Sequence, residues 1–206
     1  MGELTITTFL TIDGVMQAPG GPTEDTSGGF SHGGWVHPYA DDDFGKIMVD
    51  IFAKADAFLL GLTTWEIFAG YWPKVTDPDD PIAGKLNGLP KFVASRTRTA
   101  FDWSGSTLVR DAAAEVADLK KRFPRELQVH GSGALAQTLI KNDLIDEYRL
   151  LVFPALIGTG KRLFAAGTVP AAMTLVRSAT TQAGVVLSVY RRAGALKTGS
   201  FELPGK

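Results

Sequence analysis

The chain contains no cysteine among its 206 residues. That absence excludes a disulfide scaffold, a thiolate zinc site and a cysteine nucleophile together. It also lacks an excess of charge of either sign. The 21 Lys and Arg against 22 Asp and Glu leave a formal net charge of −1, which offers no electrostatic grip on nucleic acid or on an anionic membrane. No apolar window reaches the length of a membrane span, and Met1-Gly2-Glu3-Leu4-Thr5 carries no basic run followed by an apolar stretch. Neither a transmembrane helix nor a signal peptide is expected, and the default location is the cytoplasm. The three histidines, 32, 37 and 130, show no paired spacing and no carboxylate at ligand spacing, so no metal site is expected. No G-x-S-x-G elbow occurs, which disfavours an α/β-hydrolase.

What is present is ordinary globular material: 45% hydrophobic and 21% charged residues. A chain this long buries roughly 70% of its unfolded surface, enough for a core without staples. We expect a single domain over residues 1–192 and a small-residue tail over 193–206.

Residues Thr5 to Ile12 (TITTFLTI) are rich in β-branched side chains and end at Asp13-Gly14, which predicts a strand and a turn. Between Gly14 and Pro38 the chain carries seven of its 23 glycines and three prolines, together with Phe30, Trp35 and His37. A segment of this kind in a compact domain reads as a functional loop or lid. Asp41, Asp42 and Asp43 then precede an amphipathic pattern in which Phe44, Ile47, Met48, Ile51 and Phe52 share one face, which predicts a helix. Ala57 to Leu60 is a short buried strand closed by Gly61. Thr63 and Glu66 stand at capping-box spacing and predict a helix start. Tyr71 to Pro90, with four prolines, reads as loop with little regular structure. Strands are expected at 91–95, 107–109, 126–130 and 146–153, with helices at 111–123 and 134–141. A half-exposed antiparallel pair is expected at 173–178 and 185–191. Short apolar strands alternating with helices give an α/β class: a mostly parallel mixed sheet with helices on both faces.

Three strand ends offer chemistry. Leu60-Gly61-Leu62-Thr63-Thr64-Trp65-Glu66 and His130-Gly131-Ser132-Gly133-Ala134 each run from a strand through glycine into a helix, where exposed N–H groups and the helix dipole attract anions. Either alone is weak, and an ordinary capped turn explains it as well. Two in one domain suit two phosphate groups or the two ends of a dinucleotide. Ser95-Arg96-Thr97-Arg98-Thr99 sets hydroxyls and guanidinium groups after a strand, where a phosphate monoester or an adenosine ribose would be met. Asp13, Asp42 and Asp43 are candidate carboxylates for orienting or protonating a heterocycle, although Asp41 to Asp43 also serve as helix-start residues. Of the four tryptophans, Trp35 in the lid is the candidate ligand contact.

Taken together, these segments resemble the dihydrofolate reductase superfamily. The similar branch is the reductase domain of riboflavin biosynthesis and its stand-alone bacterial relatives. The resemblance rests on the segments at 11–15, 60–66, 92–97 and 129–134, with Leu144-Ile145-Asp146-Glu147-Tyr148 and Pro154 to Phe164, in the expected order over residues 4–192. It implies a dihydrofolate-reductase-like sheet of eight to nine strands and a bound nicotinamide dinucleotide, usually NADPH. It further implies hydride transfer to a C=N or C=O carbon of a small pterin-, pyrimidine- or related heterocyclic substrate, and a homodimer.

Carried over residue by residue, the resemblance places Gly61, Thr63 and Thr64 at a phosphate. Ser95, Arg96 and Thr97 fall at the adenosine side, and Gly131, Ser132, Gly133 and Ala134 at the diphosphate. Asp13 and Gly14 fall near the nicotinamide, Asp13 and Asp43 as catalytic carboxylates, and Trp35 and Asp42 at the substrate. One departure is Leu62, where the family commonly has an arginine for the 2′-phosphate; an isobutyl group cannot replace a guanidinium there. Either Arg96 or Arg98 takes that role, or the cofactor is NADH or a flavin. A second departure is the absence of the proline-tryptophan and cleanly spaced helix acid of true folate reductases. An alternative function is nucleotide or flavin binding with little catalysis.

Overall fold

The structure is a computed structural model that describes residues 1–166 and 168–201. The end of the expected tail, 202–206, lies outside the described residues. Eight strands form one mixed sheet in the order β4-β3-β2-β5-β1-β6-β8-β7. They are β1 (Glu3–Thr11), β2 (Ala55–Gly61), β3 (Lys91–Ala94), β4 (Ser106–Val109), β5 (Glu126–His130), β6 (Glu147–Phe153), β7 (Met173–Thr180) and β8 (Val186–Arg192). The six from β4 to β6 are parallel, and β8 and β7 close the sheet antiparallel. Among the described residues five α-helices accompany them: α1 (Asp42–Ala53), α2 (Leu62–Tyr71), α3 (Pro81–Gly88), α4 (Ala112–Arg122) and α5 (Gly133–Lys141). Among the described residues no helix is long and apolar enough to cross a membrane.

Both faces of the parallel part are covered, which is why β2 reads as an almost unbroken apolar run. Phe58 and Leu60 point to a core shared with α1, α2 and α3. Ala57 and Leu59 point to a second core shared with α4 and α5. The first core centres on Phe153, which is fully buried, with Phe9, Trp35, Tyr39 and Phe44 packed edge-on around it at 5.5–6.2 Å. Such aromatic pairs add to the burial term and fix ring orientation. Through them the segment after β1 is anchored to the carboxyl end of the sheet.

Three local expectations need correction. The Tyr71–Pro90 segment contains α3, capped by the Asp80 carboxylate on the N–H groups of Ile82 and Ala83, with Pro81 in its first turn. Its sequence, PIAGKLNG, holds two glycines and few helix formers, so propensity hides it. Packing of Ala83 and Leu86 sustains it, as does the fully buried Lys91, whose ammonium donates to the carbonyls of Leu86 and Leu89 at 2.7 and 2.9 Å. That ammonium also sits 4.4 Å from the Trp103 ring centre. Second, the Thr63–Glu66 capping box does not form: α2 starts from Gly61 with no side-chain cap, Thr63 is exposed, and Glu66 pairs with Arg98. Third, the closing strands are not equally half-buried. β8 alternates, but β7 is exposed along nearly its whole length, Leu175 and Val176 included.

Candidate active site

Adjacent parallel strands β2 and β5 send their helices to opposite faces of the sheet, α2 into the first core and α5 into the second. A crevice opens at the carboxyl ends of strands where the direction of winding reverses in this way. Here the two helix N-termini meet. Gly61 N–H donates to Ser132 Oγ at 3.0 Å, and Ser132 N–H donates to Thr64 Oγ1 at 3.1 Å. Helices α1, α3 and α4 each begin on an aspartate side-chain cap, but α2 and α5 have none. Their first-turn N–H groups are therefore left without a side-chain acceptor, in a place where the helix dipoles favour an anion.

The backbone there is shaped for close approach. Gly131 and Ser132 are both left-handed, with φ of +51° and +55°. Gly131 adopts this freely; the serine does so at roughly 1–2 kcal/mol. Thr64 Oγ1 accepts from Ser132, so its own proton remains available to an anionic oxygen. Ser132 differs: it is buried and its hydroxyl donates to the His130 carbonyl at 2.8 Å. Ser132 is expected among the diphosphate contacts from the resemblance, but its side chain turns inward. Gly133 and Ala134 open α5.

At the end of β3, Ser95 Oγ accepts from the N–H groups of Thr97 and Arg98 at 3.3 and 2.9 Å, which fixes the turn and leaves its proton free. Arg96 and Thr97 are exposed. Arg98 is committed elsewhere: it bonds Glu66 at 3.2 Å, pairs with Asp102 at 3.6 Å and lies 4.7 Å from the Trp65 ring centre. Of the two arginines offered for a 2′-phosphate, Arg96 is thus the unencumbered one. Sequence reasoning missed its neighbour Arg110, at the end of β4, which donates to the Arg96 carbonyl at 3.1 Å. The signal was available, since Arg110 stands between a strand and the Asp111 cap of α4. An open groove of about 800 Å³ lies along α2 beside Trp65, Arg98 and Trp103, but both tryptophans are buried and offer no stacking face.

Around β1 the carboxylates separate. Asp13 accepts from the Thr11 hydroxyl at 2.5 Å and from the N–H groups of Ile157 and Gly158 at 3.2 and 2.8 Å, with Arg162 at 3.4 Å. The Thr11 bond, aided by the two backbone donors, holds its carboxyl down at about 2. It is ionised at neutral pH and a poor proton donor there. Gly14 makes the turn after β1 at φ +81°. Asp41 caps α1 and also accepts from Ala183 N–H at 2.8 Å. Asp42 is exposed, and Asp43 pairs with Lys46 at 3.1 Å.

The lid is tied down rather than open. Buried Gln17 accepts from Lys161 N–H at 3.0 Å and donates to the Ser27 carbonyl at 2.9 Å, and Lys161 pairs with Asp25 at 2.6 Å. Trp35 is buried, donates to the Gln17 carbonyl at 2.8 Å and packs on Phe153. The structure makes it an anchor of the lid, not a surface for a ligand. Among the described residues no cluster of three His, Asp or Glu is placed to hold a metal.

The RibD C-terminal domain family model matches residues 3–187. The chain belongs to the RibD C-terminal domain family. YyaP of Bacillus subtilis (strain 168) is 30% identical over 156 residues, covering 75% of this chain and 82% of that one. Among solved structures, a Shewanella sp. PV-4 protein assigned to riboflavin biosynthesis is similar with a TM-score of 0.68 and 23% identity, over 92% of this chain and 98% of that one. A pyrimidine reductase-like protein of Corynebacterium diphtheriae aligns at 0.62 and 14% identity, over 93% and 92%. A diaminohydroxyphosphoribosylaminopyrimidine deaminase/5-amino-6-(5-phosphoribosylamino)uracil reductase of Thermotoga maritima aligns at 0.62 and 15% identity, over 93% of this chain and 57% of the longer one. The dihydrofolate-reductase-like fold expected from the sequence is thus the fold of the RibD C-terminal family.

Proposed function

We propose that the protein is an NAD(P)H-dependent reductase acting on a C=N or C=O bond of a small pyrimidine-, pterin- or related heterocyclic substrate. The observation that carries this reading is the pair of helix N-termini without side-chain caps, joined at the carboxyl ends of β2 and β5. Family membership, with a reductase and a reductase-like protein among the structural neighbours, supports it. A diphosphate fits these residues: the first-turn N–H groups of α2 and α5, the Thr64 hydroxyl, and Gly131 and Gly133, which carry no side chain. Gly61 and Thr63 belong to the same cradle. Ser95, Arg96 and Thr97 take the adenosine side. Arg96 and Arg110 meet a 2′-phosphate, which makes NADPH the proposed cofactor despite Leu62.

The bound dinucleotide supplies the hydride. The chain's own part is to position, to orient and to exclude water. Asp13 holds the 154–162 loop against the turn after β1, with Gly14 at that turn, and the lid closes over the same end of the sheet. Asp43, in the first turn of α1 beside the Phe44 that packs on Phe9 and Phe153, is the carboxylate we assign to substrate orientation, with Asp42 next to it. A cytoplasmic location follows from the use of reduced nicotinamide. We also assign a homodimer, formed over the exposed β7.

A second reading, dinucleotide or flavin binding without turnover, is favoured by one observation: no carboxylate among Asp13, Asp42 and Asp43 is both free and buried. Turnover decides between them. Purified protein with NADPH and a panel of aminopyrimidines, pterins and cyclic imines should oxidise the nicotinamide in the presence of one substrate class. Tight binding of NADPH or a flavin with no oxidation across the panel supports the second reading.

A further inference from the structure

The junction of α2 and α5 contains a device that the phosphate contacts themselves do not require. The N–H and hydroxyl of Ser132 make three hydrogen bonds, two across to the β2–α2 turn and one back within its own turn. Its N–H donates to Thr64 Oγ1 inside α2, its Oγ accepts from Gly61 N–H at the end of β2, and the same Oγ donates to the carbonyl of His130 at the end of β5. A Cβ built on Gly61 would come into van der Waals contact with Ser132 Cβ, at 3.5 Å, so the two turns approach closely. Ser132 holds this position at a left-handed φ of +55°. Glycine would hold it at no conformational cost, and a serine in that region is strained. What the serine has and glycine lacks is the hydroxyl, and both capacities of that hydroxyl are used.

We infer that Ser132 is a positioning residue, a cross-brace whose bonds to Gly61 and Thr64, with its hydroxyl held by the His130 carbonyl, fix the N-termini of α2 and α5 at one separation, so that a diphosphate is met by both at once. Thr64 has a double part. Its oxygen receives the brace, and that acceptance turns its hydroxyl proton outward toward the anion. The inference rests on the dinucleotide reading and adds to it a distinction between ligands. A brace between two half-sites matters to a ligand that spans them. It matters little to one that occupies a single half.

The test compares NADPH with adenosine 2′,5′-bisphosphate, which carries the adenosine end and one 5′-phosphate, by calorimetric titration of the full chain. Ser132→Ala should weaken NADPH about tenfold while changing the bisphosphate by less than about twofold. Thr64→Val should do the same or more, and Thr64→Ser, which keeps the hydroxyl, should restore the wild-type affinity for NADPH. Ser132→Gly, which removes the hydroxyl and adopts the left-handed φ freely, keeps the test decisive should Ser132→Ala fail to fold, and it should lose NADPH affinity to the same extent. Equal losses for both ligands would mean a general loss of structure, and unchanged NADPH affinity would mean that the helix ends need no brace; either overturns the inference while leaving the cofactor reading intact. Failure of the wild-type protein to bind NADPH, NADH or the bisphosphate would overturn the cofactor reading and the brace with it.

Discussion

Acid is expected to destabilise this fold through one buried histidine. His130 is 5% exposed, stacked on Phe52 at 4.4 Å and close to Phe58 and the Arg149 guanidinium. Burial, reinforced by the positive charge of Arg149, lowers its pKa from 6.5 to about 3. Its Nε2 lies 3.0 Å from the Gln128 side-chain oxygen. Below pH 6.5 the unfolded chain takes up a proton that the folded chain refuses, so stability falls as the pH drops through that interval. The slope is about 1.4 kcal/mol per pH unit. Two units below 6.5, at pH 4.5, the loss is roughly 3 kcal/mol, against a typical total of roughly 5–15 kcal/mol. The lowered carboxyls of Asp13 and Asp41 contribute only below pH 4, and Glu24, whose carboxyl burial pushes up, works in the opposite direction. Urea unfolding followed by circular dichroism from pH 7.5 to 4.5 measures the slope. His130→Asn should be less stable at pH 7.5 but lose little more by pH 4.5. A wild-type midpoint flat to pH 4.5, or an equal acid loss in the variant, refutes the reasoning.

Three further outcomes are expected. Arg96→Ala and Arg110→Ala should each weaken NADPH by about tenfold to a hundredfold, the worth of a charge-assisted contact, and leave NADH unchanged in parallel titrations. Gly160→Ala should cost about 2 kcal/mol or more in chemical denaturation and open the lid to protease, because its φ is +113° and a Cβ there would lie 2.9 Å from Phe30 and 3.0 Å from Val15, both buried. Val176→Glu on the exposed β7 should give a monomer by light scattering where the wild type gives a dimer; a wild-type monomer would refute that assignment.

The parts of the fold readable in the sequence are those encoded locally. Apolar runs such as AFLL, amphipathic spacing in α1 and the glycines at 61, 131 and 133 each carry their meaning within a few residues. What stayed hidden depends on distant partners. Nothing near Asp13 announces that it will bind the N–H groups of Ile157 and Gly158, 144 and 145 residues away. Thr64 and Ser132 are 68 residues apart and meet only because β5 inserts beside β2. Arg96 and Arg98 look equivalent until Glu66 and Asp102 claim one of them. Helix α3 was masked because Lys91, which lies beyond it in the chain, satisfies its last carbonyls.

The central claim is that the joined ends of α2 and α5 hold the diphosphate of a reduced nicotinamide dinucleotide. Calorimetric titration of the full chain with NADPH tests it most directly. Saturable one-to-one binding, weakened at least about tenfold by Thr64→Val, is the result the account predicts. Absence of heat and of thermal protection at saturating NADPH and NADH, in a protein that is folded, would contradict it.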